Sequence, residues 1–274
     1  MGIAALVAAA ALAGPAQRAA DYLMAHQQRG AFAEPGAQPS RSLSAWAALG
    51  LAAAGRRVSG AADYAAPLTR ARDVTDLELG ILGVAAAGGD ASSALPRLRR
   101  FVQRSGAIGS TVNSTIWGII ALRQAVEPVA PRTVRWLLAR QARSGGWSWS
   151  PSGAPDSNDT AAAIEALRAV GVSGAPIRRG VRYLLRLERR DGGFPLVPGS
   201  ASDAQSTAWA VQAFRAARAL APDAALTYLF HLQRPDGSFR YSGRYTITPV
   251  FVTSQVLPAL ARRPFPLSVQ GRAG

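Results

Sequence analysis

Apolar positions along the chain fall into blocks of helical length that repeat at a spacing of about 42 residues. In each block a Ser or Thr stands seven positions before a large apolar residue, as Ser44 does before Leu51. Seven residues make nearly two helical turns, so both side chains lie on one face, and the hydroxyl is expected at the N-cap or in the first turn. The hydroxyl positions of four strong copies and two weaker ones are Ser44, Thr75, Thr115, Thr160, Thr207 and Thr253.

A second helix is predicted before each of these blocks. Segments such as 136–141 and 228–233 show helical patterning, and glycines then precede an apolar ring or Ile, as in Gly145-Gly146-Trp147. Glycine just past a helix supplies the left-handed conformation that ends it. The sequence therefore predicts six helical hairpins, of which the second lacks this punctuation and is the most degenerate.

The recurring blocks are rich in Ala and poor in charge, which predicts helices that are buried on all sides. Hairpins of this kind can stack as an open solenoid or close into a ring. Because an inner ring requires helices buried all round, we favour an all-α fold, an α6/α6 toroid of six helical hairpin repeats over residues 17–265. Residues 266–274 then form a C-terminal tail.

The first residues of the chain form an uncharged, Ala-rich stretch. Its length of about fifteen residues is short of the roughly twenty that a membrane-spanning helix needs, but it fits the apolar region of a secretory signal. A basic region before it is missing, so residues 1–16 are predicted to be either a signal peptide or a terminal helix. A secreted or cell-envelope location and a cytoplasmic one therefore both stay open.

The composition predicts a large buried core and excludes several kinds of chemistry. Of the 274 residues, 49% are hydrophobic and 17% are charged, which is typical of a globular chain. Cys is absent and His occurs only at His26 and His231, which excludes disulfides, thiol catalysis and Cys-based zinc sites. No metal site is therefore expected.

The charge is strongly basic, with 31 basic residues, all of them Arg, against 16 acidic ones, a net charge of +15. Some recur every four residues and so form one stripe on a predicted outer helix: Arg178, Arg182, Arg186 and Arg190. We interpret the stripe as a solvated outer face, with attraction to an anionic cell envelope as the alternative. The sequence has no motif for base recognition, so no nucleic-acid partner is expected.

The stretch from Gln141 to Trp147, with a looser copy from Gln233 to Phe239, resembles the repeat motif of a known superfamily. Its members are squalene and terpene cyclases, protein prenyltransferase β subunits and cobalamin carriers. The resemblance implies that the N-terminal ends of the inner helices surround one mouth of a central cavity. Ligand-binding candidates at that mouth are Asp73, Asp76, Asn113, Asn158, Asp159 and Gln205, with Trp46, Trp117 and Trp209 one turn deeper. Capping explains any single acid or amide there; their gathering at one mouth favours ligand binding.

The segment from Asp156 to Ala161 is similar to the Asp-X-Asp-Asp-Thr-Ala motif of class II terpene cyclases, whose middle Asp protonates an alkene or epoxide. The matching position here is Asn158, whose amide has no acidic proton to give. A cyclase or isomerase acting on a polyprenyl substrate is therefore the alternative function, with Asp156, Asp159 and Asp203 as candidate acids. The zinc-dependent prenyltransferase branch is excluded, because it needs a Cys ligand.

The segment from Asp159 to Ala162 resembles the stretch in which cobalamin carriers contact the corrin side-chain amides, and Gln255 matches a further contact of that family. Amides around a wide cavity can donate or accept hydrogen bonds as a ligand requires. The main prediction is a non-catalytic protein that binds a corrinoid, such as cobalamin, or another bulky amphipathic small molecule. The carriers also have a small β domain, so the resemblance implies either a separate β-domain protein as partner or a different ligand.

Overall fold

The computed structural model describes residues 14–267, and they contain twelve α-helices in alternating outer and inner positions. The outer helices are α1 (Pro15–Ala25), α3 (Ala61–Ala65), α5 (Leu95–Arg100), α7 (Pro131–Ala139), α9 (Ala175–Leu185) and α11 (Asp223–Leu232). The inner helices are α2 (Arg41–Ala53), α4 (Val74–Ala86), α6 (Val112–Gln124), α8 (Ser157–Ala169), α10 (Ala204–Ala217) and α12 (Pro249–Leu260). The all-α prediction of six hairpins is confirmed.

Short elements supplement the helices of several hairpins. A 3-10 turn at Ala66–Arg70 extends α3, and another at Ser92–Ala94 precedes α5. Two antiparallel strand pairs lie in the loops that lead to α2 and α10: β1 (Gln27–Gln28) with β2 (Ala31–Phe32), and β3 (Phe194–Pro195) with β4 (Ser202–Asp203). Within residues 14–267 no helix combines the length and the hydropathy that crossing a bilayer requires.

The inner helices form a closed ring, because each packs against the next and α12 packs against α2. At this closure Gly50 of α2 lies against α12 so tightly that a Cβ there would be 2.7 Å from the carbonyl oxygen of Ser254. At the next interface Gly83 of α4 lies against Ala45 of α2, where a Cβ would be 2.5 Å from the Ala45 Cβ. The toroid is therefore the fold, and small residues set the spacing of its inner helices.

The recurring hydroxyl side chains accept hydrogen bonds from the backbone. In each case the donor is the amide of the apolar residue that comes one or two positions after a glycine. The Trp147 amide donates to Thr160 Oγ1 at 2.9 Å, and the Phe194 amide donates to Thr207 Oγ1 at the same distance. Equivalent bonds join Phe32 to Ser44, Ile108 to Thr115 and Phe239 to Thr253. These five apolar residues are fully buried, so each amide needs an internal acceptor.

Of the two predicted placements, N-cap or first turn, the structure shows the second, because Ser44, Thr115, Thr160 and Thr207 are each the fourth residue of their helix. The N-caps are four residues earlier in several repeats, for example Thr111 before Thr115 and Asp156 before Thr160. In the second repeat, Thr75 is exposed near the start of α4, and the buried Leu77 takes the fourth helical position. That repeat is therefore shifted by two residues from the pattern seen in the sequence.

Both ends of the described chain pack against the ring. The Gln233 side-chain amide donates to the Pro15 carbonyl at 2.9 Å, which attaches α1 to the last repeat. Pro15 and Ala16 thus belong to α1, while residues 1–13 of the predicted 1–16 segment lie outside the described residues. At the other end Phe265 and Leu267 are buried. Leu267 lies two residues past the predicted boundary at 265, and positions 268–274 are outside the described part.

Candidate functional site

A cavity of about 430 Å³ opens at the end of the ring where the inner helices begin. Its floor is aromatic, one wall carries acids and amides, and its rim is apolar. The lining residues are Trp46, Asn113, Trp117, Trp149, Asp156, Asn158, Asp159, Ala162, Leu196, Gln205, Trp209, Phe251 and Gln255. A mostly apolar concavity with a few converging polar groups is the usual form of a small-molecule site.

Three tryptophans form the floor in mutual edge-to-face contact. The ring centroids of Trp46 and Trp117 are 5.3 Å apart, those of Trp117 and Trp209 5.4 Å, and those of Trp46 and Trp209 6.3 Å. Each is the sixth residue of its inner helix, α2, α6 or α10, whereas α4 and α8 carry Leu79 and Ala162 there. Because α4 and α8 carry smaller side chains at this position than the tryptophans of α2, α6 and α10, the three indoles can meet at the ring axis. Their π faces can stabilise a cation.

Phe265 closes the floor from the opposite side. Its ring lies 5.7 Å from Trp209, 6.3 Å from Trp117 and 6.5 Å from Trp46, measured between centroids. Its backbone amide donates to the Glu165 carboxylate, which is fully buried inside the ring. Burial raises the pKa of Glu165 well above its usual range. The segment after the last helix thus fills the ring beneath the cavity.

Gln255 links the aromatic floor to the polar wall. Its Oε1 accepts a hydrogen bond from the Trp209 indole Nε1 at 2.9 Å, which fixes the orientation of that ring. Its Nε2 is buried and has no hydrogen-bond partner among residues 14–267. A buried amide donor without an acceptor is costly, so this group can donate to a ligand in the cavity.

Two carboxylates and an amide converge at the mouth where α6 meets α8. Asp156 caps α8, because its Oδ1 accepts from the Asp159 backbone amide at 2.8 Å. The Asp159 Oδ1 accepts from the Asn113 side-chain amide across the helix interface at 2.6 Å. Asp159 is almost completely buried, although it lines the cavity. This arrangement orients the Asp159 carboxyl group towards the cavity and holds the Asp156 carboxyl group beside it.

The pKa of Asp159 is raised far above its ordinary value, which favours the neutral acid at neutral pH. The pKa rises to about 8, mainly through burial, with a further contribution from the neighbouring Asp156 through charge repulsion and a hydrogen bond between the two side chains. The hydrogen bond from Asn113 opposes this shift but is the smaller effect. Burial also raises the pKa of Asp156. Two close carboxyls in an apolar cavity do not both ionise, so the pair holds a proton.

The helix N-termini at the mouth are covered by the loop of the next repeat. The Trp149 carbonyl accepts from the Val112 and Asn113 amides of α6, each at 3.1 Å. In the same way the Leu196 carbonyl accepts from α8 at 2.9 Å and the Tyr241 carbonyl from α10 at 2.7 Å. These first-turn N–H groups are therefore occupied. The polarity of the cavity comes from its side chains.

The ring is closed at the mouth by Glu34, which the sequence analysis missed. Its carboxylate accepts from the amides of Val250 and Phe251, at 2.9 and 2.8 Å, and so caps α12 from the first repeat. A carboxylate at a helix N-terminus also complements the helix dipole. Glu34 is 216 residues from Val250 in sequence, so no local pattern could have indicated this contact.

The cavity brings together most of the side chains predicted to bind ligand. Those that line it are Trp46, Asn113, Trp117, Asn158, Asp159, Gln205, Trp209 and Gln255, along with the candidate acid Asp156. Four lining residues were not among the candidates, and they complete the wall and rim: Trp149, Ala162, Leu196 and Phe251. Of these four, Trp149 could have been identified from the sequence, because it lies two residues after the buried Trp147 of the repeat motif.

Three of the selected acids lie outside the cavity wall. Asp73 and Asp76 are exposed, and Asp73 caps α4 by accepting from the Thr75 and Asp76 amides. In the structure they occupy the same helix positions as Asp156 and Asp159, N-cap and third residue, but they do not line the cavity. Asp203 is buried as the cap of α10, where it accepts from the Ser206 amide at 2.7 Å. These three acids act as helix caps or first-turn charges.

Residues 14–267 contain no group of three or more His, Asp or Glu side chains placed to hold an ion. The Asp156–Asp159 pair instead shares its hydrogen bonds with Asn113 and the α8 backbone.

No protein-family model matches the sequence, and no curated protein is similar to it at a significant level. The fold is found in several solved structures. The type II terpene cyclase MstE from Scytonema, without ligand, superposes with a TM-score of 0.68 at 19% identity, over 90% of this chain and 96% of MstE. A protein from Actinoplanes superposes at 0.64 and 18% identity, over 90% of this chain and 98% of that one.

A third similar structure is ent-copalyl diphosphate synthase from Streptomyces platensis, with a TM-score of 0.56 at 20% identity over 83% of this chain. This chain spans 52% of that enzyme. Protein geranylgeranyltransferase-I from Candida albicans shares the fold at 11% identity. At these identities the likeness shows the α/α toroid of terpene cyclases and prenyltransferases, and the function must be argued from the cavity.

Proposed function

We propose that this protein is a class II terpene cyclase or isomerase that protonates a polyprenyl chain in the cavity, with Asp159 as the general acid. The observation that carries the proposal is the neutral Asp159 carboxyl, buried beside Asp156 above a floor of three tryptophans. A general acid must be protonated at the working pH and within reach of the reacting atom. The toroid shared with MstE supports the same class of reaction.

The reaction needs one proton and returns one. The Asp159 O–H adds its proton to the terminal alkene, which leaves a tertiary carbocation on the chain and a carboxylate on Asp159. The π electrons of the next alkene close a ring and move the positive charge inward. The final cation loses a proton to water, and solvent protonates Asp159 again, so the product is an isomer of the substrate. Trp46, Trp117 and Trp209 line the cavity, where their indole rings would stabilise the cations.

The polar wall assigns different roles to neighbouring residues. Asp156 raises the pKa of Asp159 and keeps it protonated. Asn113 donates a hydrogen bond to Oδ1 of Asp159, so the proton is carried by the other carboxyl oxygen. Asn158 takes the motif position that is an acid in class II cyclases, lines the cavity and contributes only hydrogen bonds. Asp159 therefore replaces that position as the proton donor.

The test uses substrates that the similar structures name. MstE was solved with geranylgeranyl dihydroxybenzoate as its substrate, and the geranylgeranyltransferase with GGPP. Purified protein is incubated with each, and products of unchanged mass are separated by chromatography. We expect a cyclic isomer from the wild type and its loss in Asp159→Asn, which keeps the side-chain shape but has no acidic proton. Asp203→Asn is the matched control, because Asp203 is equally buried but caps α10 outside the cavity.

The proposal fails if Asp159→Asn keeps the wild-type rate, or if Asp203→Asn alone abolishes the product while the protein stays folded. Absence of turnover with every prenyl substrate tried, together with tight binding of one of them, would favour a binding protein over an enzyme.

A non-catalytic binding protein is the second candidate, and the amides of the wall favour it. Four amides line the cavity: Asn113, Asn158, Gln205 and Gln255. The buried Nε2 of Gln255 has no hydrogen-bond acceptor among the described residues. Such a set suits a ligand with its own carboxamides, including a corrinoid, with a separate β-domain protein as partner. Titration with cobalamin tests this version: a spectral change that Gln255→Ala weakens would support it, and no change in spectrum or heat would refute it.

A further inference from the structure

A hollow of about 480 Å³ lies between the fifth and sixth repeats, where α11 meets the loops that follow α9 and precede α10. Its charged lining residues are three arginines and one aspartate: Arg189, Arg240, Arg244 and Asp191. We call it the arginine hollow. It shares no lining residue with the cavity above the tryptophans, so it is distinct from the site of the proposed cyclase reaction.

The arginines of the hollow are held in place by the backbone of the surrounding loops. The Arg189 guanidinium donates to the Ser200 carbonyl at 2.9 Å, and the half-buried Arg240 donates to the Gly243 carbonyl at 2.6 Å. A guanidinium has five N–H donors, so one bond to a carbonyl leaves most of them for a ligand. The hollow therefore presents oriented cationic groups.

No carboxylate neutralises these arginines. Asp191 is the one acid of the lining, and its Oδ1 accepts from the Gly193 amide at 3.0 Å and from the Ser202 hydroxyl at 2.9 Å. None of the ion pairs among residues 14–267 includes any of the three arginines. Unpaired positive charge in a concave site attracts an anion.

The equivalent hollow between the sixth and first repeats has a different charge pattern. It is lined by one arginine and two aspartates, Arg234, Asp236 and Asp21. Arg234 stands where Arg189 does in its repeat, five positions before the buried phenylalanine, but it pairs with Asp236 at 3.5 Å. The usual charge at such a seam can thus be balanced within the repeat.

The two added arginines are specific to the hollow between the fifth and sixth repeats. Arg240 and Arg244 lie one and five positions after the buried phenylalanine of the sixth repeat. The same two positions in the first repeat are Ala33 and Ala37. The repeat fold therefore does not require arginines there, and their gathering in one hollow favours a ligand.

We propose that the arginine hollow binds the phosphate group of a small phosphorylated molecule. Arginine forks match the oxygen atoms of a phosphate and form charge-assisted hydrogen bonds with them. The volume of the hollow lies in the range of small-molecule sites, so it has room for the organic part of such a molecule. The proposal goes beyond the proposed function, since it does not depend on Asp159 or on a ligand in the cavity.

The test is isothermal titration of the protein with inorganic phosphate and with diphosphate, at constant ionic strength in sodium chloride. We expect saturable binding to the wild type, and at least about tenfold weaker binding to the double variant Arg189→Gln with Arg244→Gln. Both side chains are exposed, so this variant should stay folded. The double variant Arg178→Gln with Arg182→Gln is the matched control, because it removes the same charge from exposed positions on α9. It should bind as the wild type does.

Urea unfolding gives a second measurement. A ligand that binds the folded state stabilises it, so diphosphate should raise the unfolding midpoint of the wild type and have little effect on that of the hollow variant. An equal rise in both would contradict the proposal.

Three titration results would also overturn it. One is the absence of binding of both phosphate and diphosphate. Another is equal weakening by the hollow variant and the α9 variant, which would assign the binding to overall charge. The third is weaker binding of GGPP to the hollow variant when free diphosphate does not bind at all, which would assign the arginines to the head group of a substrate in the cavity.

Discussion

The raised pKa of Asp159 predicts how the stability of the protein changes with pH. In the folded chain this pKa is about 8, against an ordinary value of 3.8. The folded state therefore binds the proton more tightly than the unfolded state does. The stabilisation that this proton gives is complete at acid pH and is lost as the pH rises through the interval towards about 8.

The magnitude follows from the width of that interval. Each pH unit over which the folded state holds one extra proton changes the free energy of unfolding by about 1.4 kcal/mol. An interval of about four units gives a change on the order of 5 kcal/mol. Asp159→Asn cannot ionise, so its stability relative to the wild type should improve by about that amount between pH values of roughly 4 and 8.

Urea unfolding at several pH values measures this difference. Comparing the variant with the wild type cancels the contributions of other buried acids, such as Glu78 and Glu165. Asn113→Ala should extend the pH dependence upward, because the Asn113 hydrogen bond lowers the Asp159 pKa. A stability difference between Asp159→Asn and the wild type that stays constant across the range would refute the reasoning.

Three further predictions concern the frame of the site. Gly50→Ala places a Cβ 2.7 Å from the Ser254 carbonyl, so it should destabilise the ring by about 1–3 kcal/mol in urea unfolding; unchanged stability would contradict the tight closure. Thr160→Val leaves the buried Trp147 amide without its acceptor and should cost about 1–3 kcal/mol; a neutral result would mean that another acceptor replaces the hydroxyl. Phe265→Ala should cost about 3–5 kcal/mol and deepen the cavity, as a crystal structure would show. If the tryptophan floor in that structure were unmoved and no new space lay beneath it, Phe265 would not be its support.

The fold was predictable because five of the six repeats carry the same local signals. A glycine with positive φ follows the outer helix, a buried apolar residue comes just after it, and a hydroxyl recurs in the inner helix. The structure gives these signals one physical reason, since the hydroxyl of Thr160 holds the amide of the buried Trp147. The closed ring was predictable because the inner helices are Ala-rich and buried on all sides.

The candidate site was predictable where it depends on helix register, and not where it depends on distant contacts. Asn113, Asn158 and Gln205 each lie on the first turn of an inner helix, so a correct register places them at the mouth. Asp76 has the same helix position as Asp159 but is exposed and does not line the cavity, so helix position alone does not decide which first-turn residues reach it. Phe265 follows the last helix, and only the tertiary structure brings it under the tryptophans.

The most direct test of the account is to follow the proton itself. A turnover experiment in D₂O with geranylgeranyl dihydroxybenzoate should give a cyclic isomer that carries one deuterium at the former terminal alkene, and Asp159→Asn should give no such product. A cyclic product without deuterium, or one that Asp159→Asn forms with the same deuterium content and rate, would contradict the assignment of Asp159 as the proton donor.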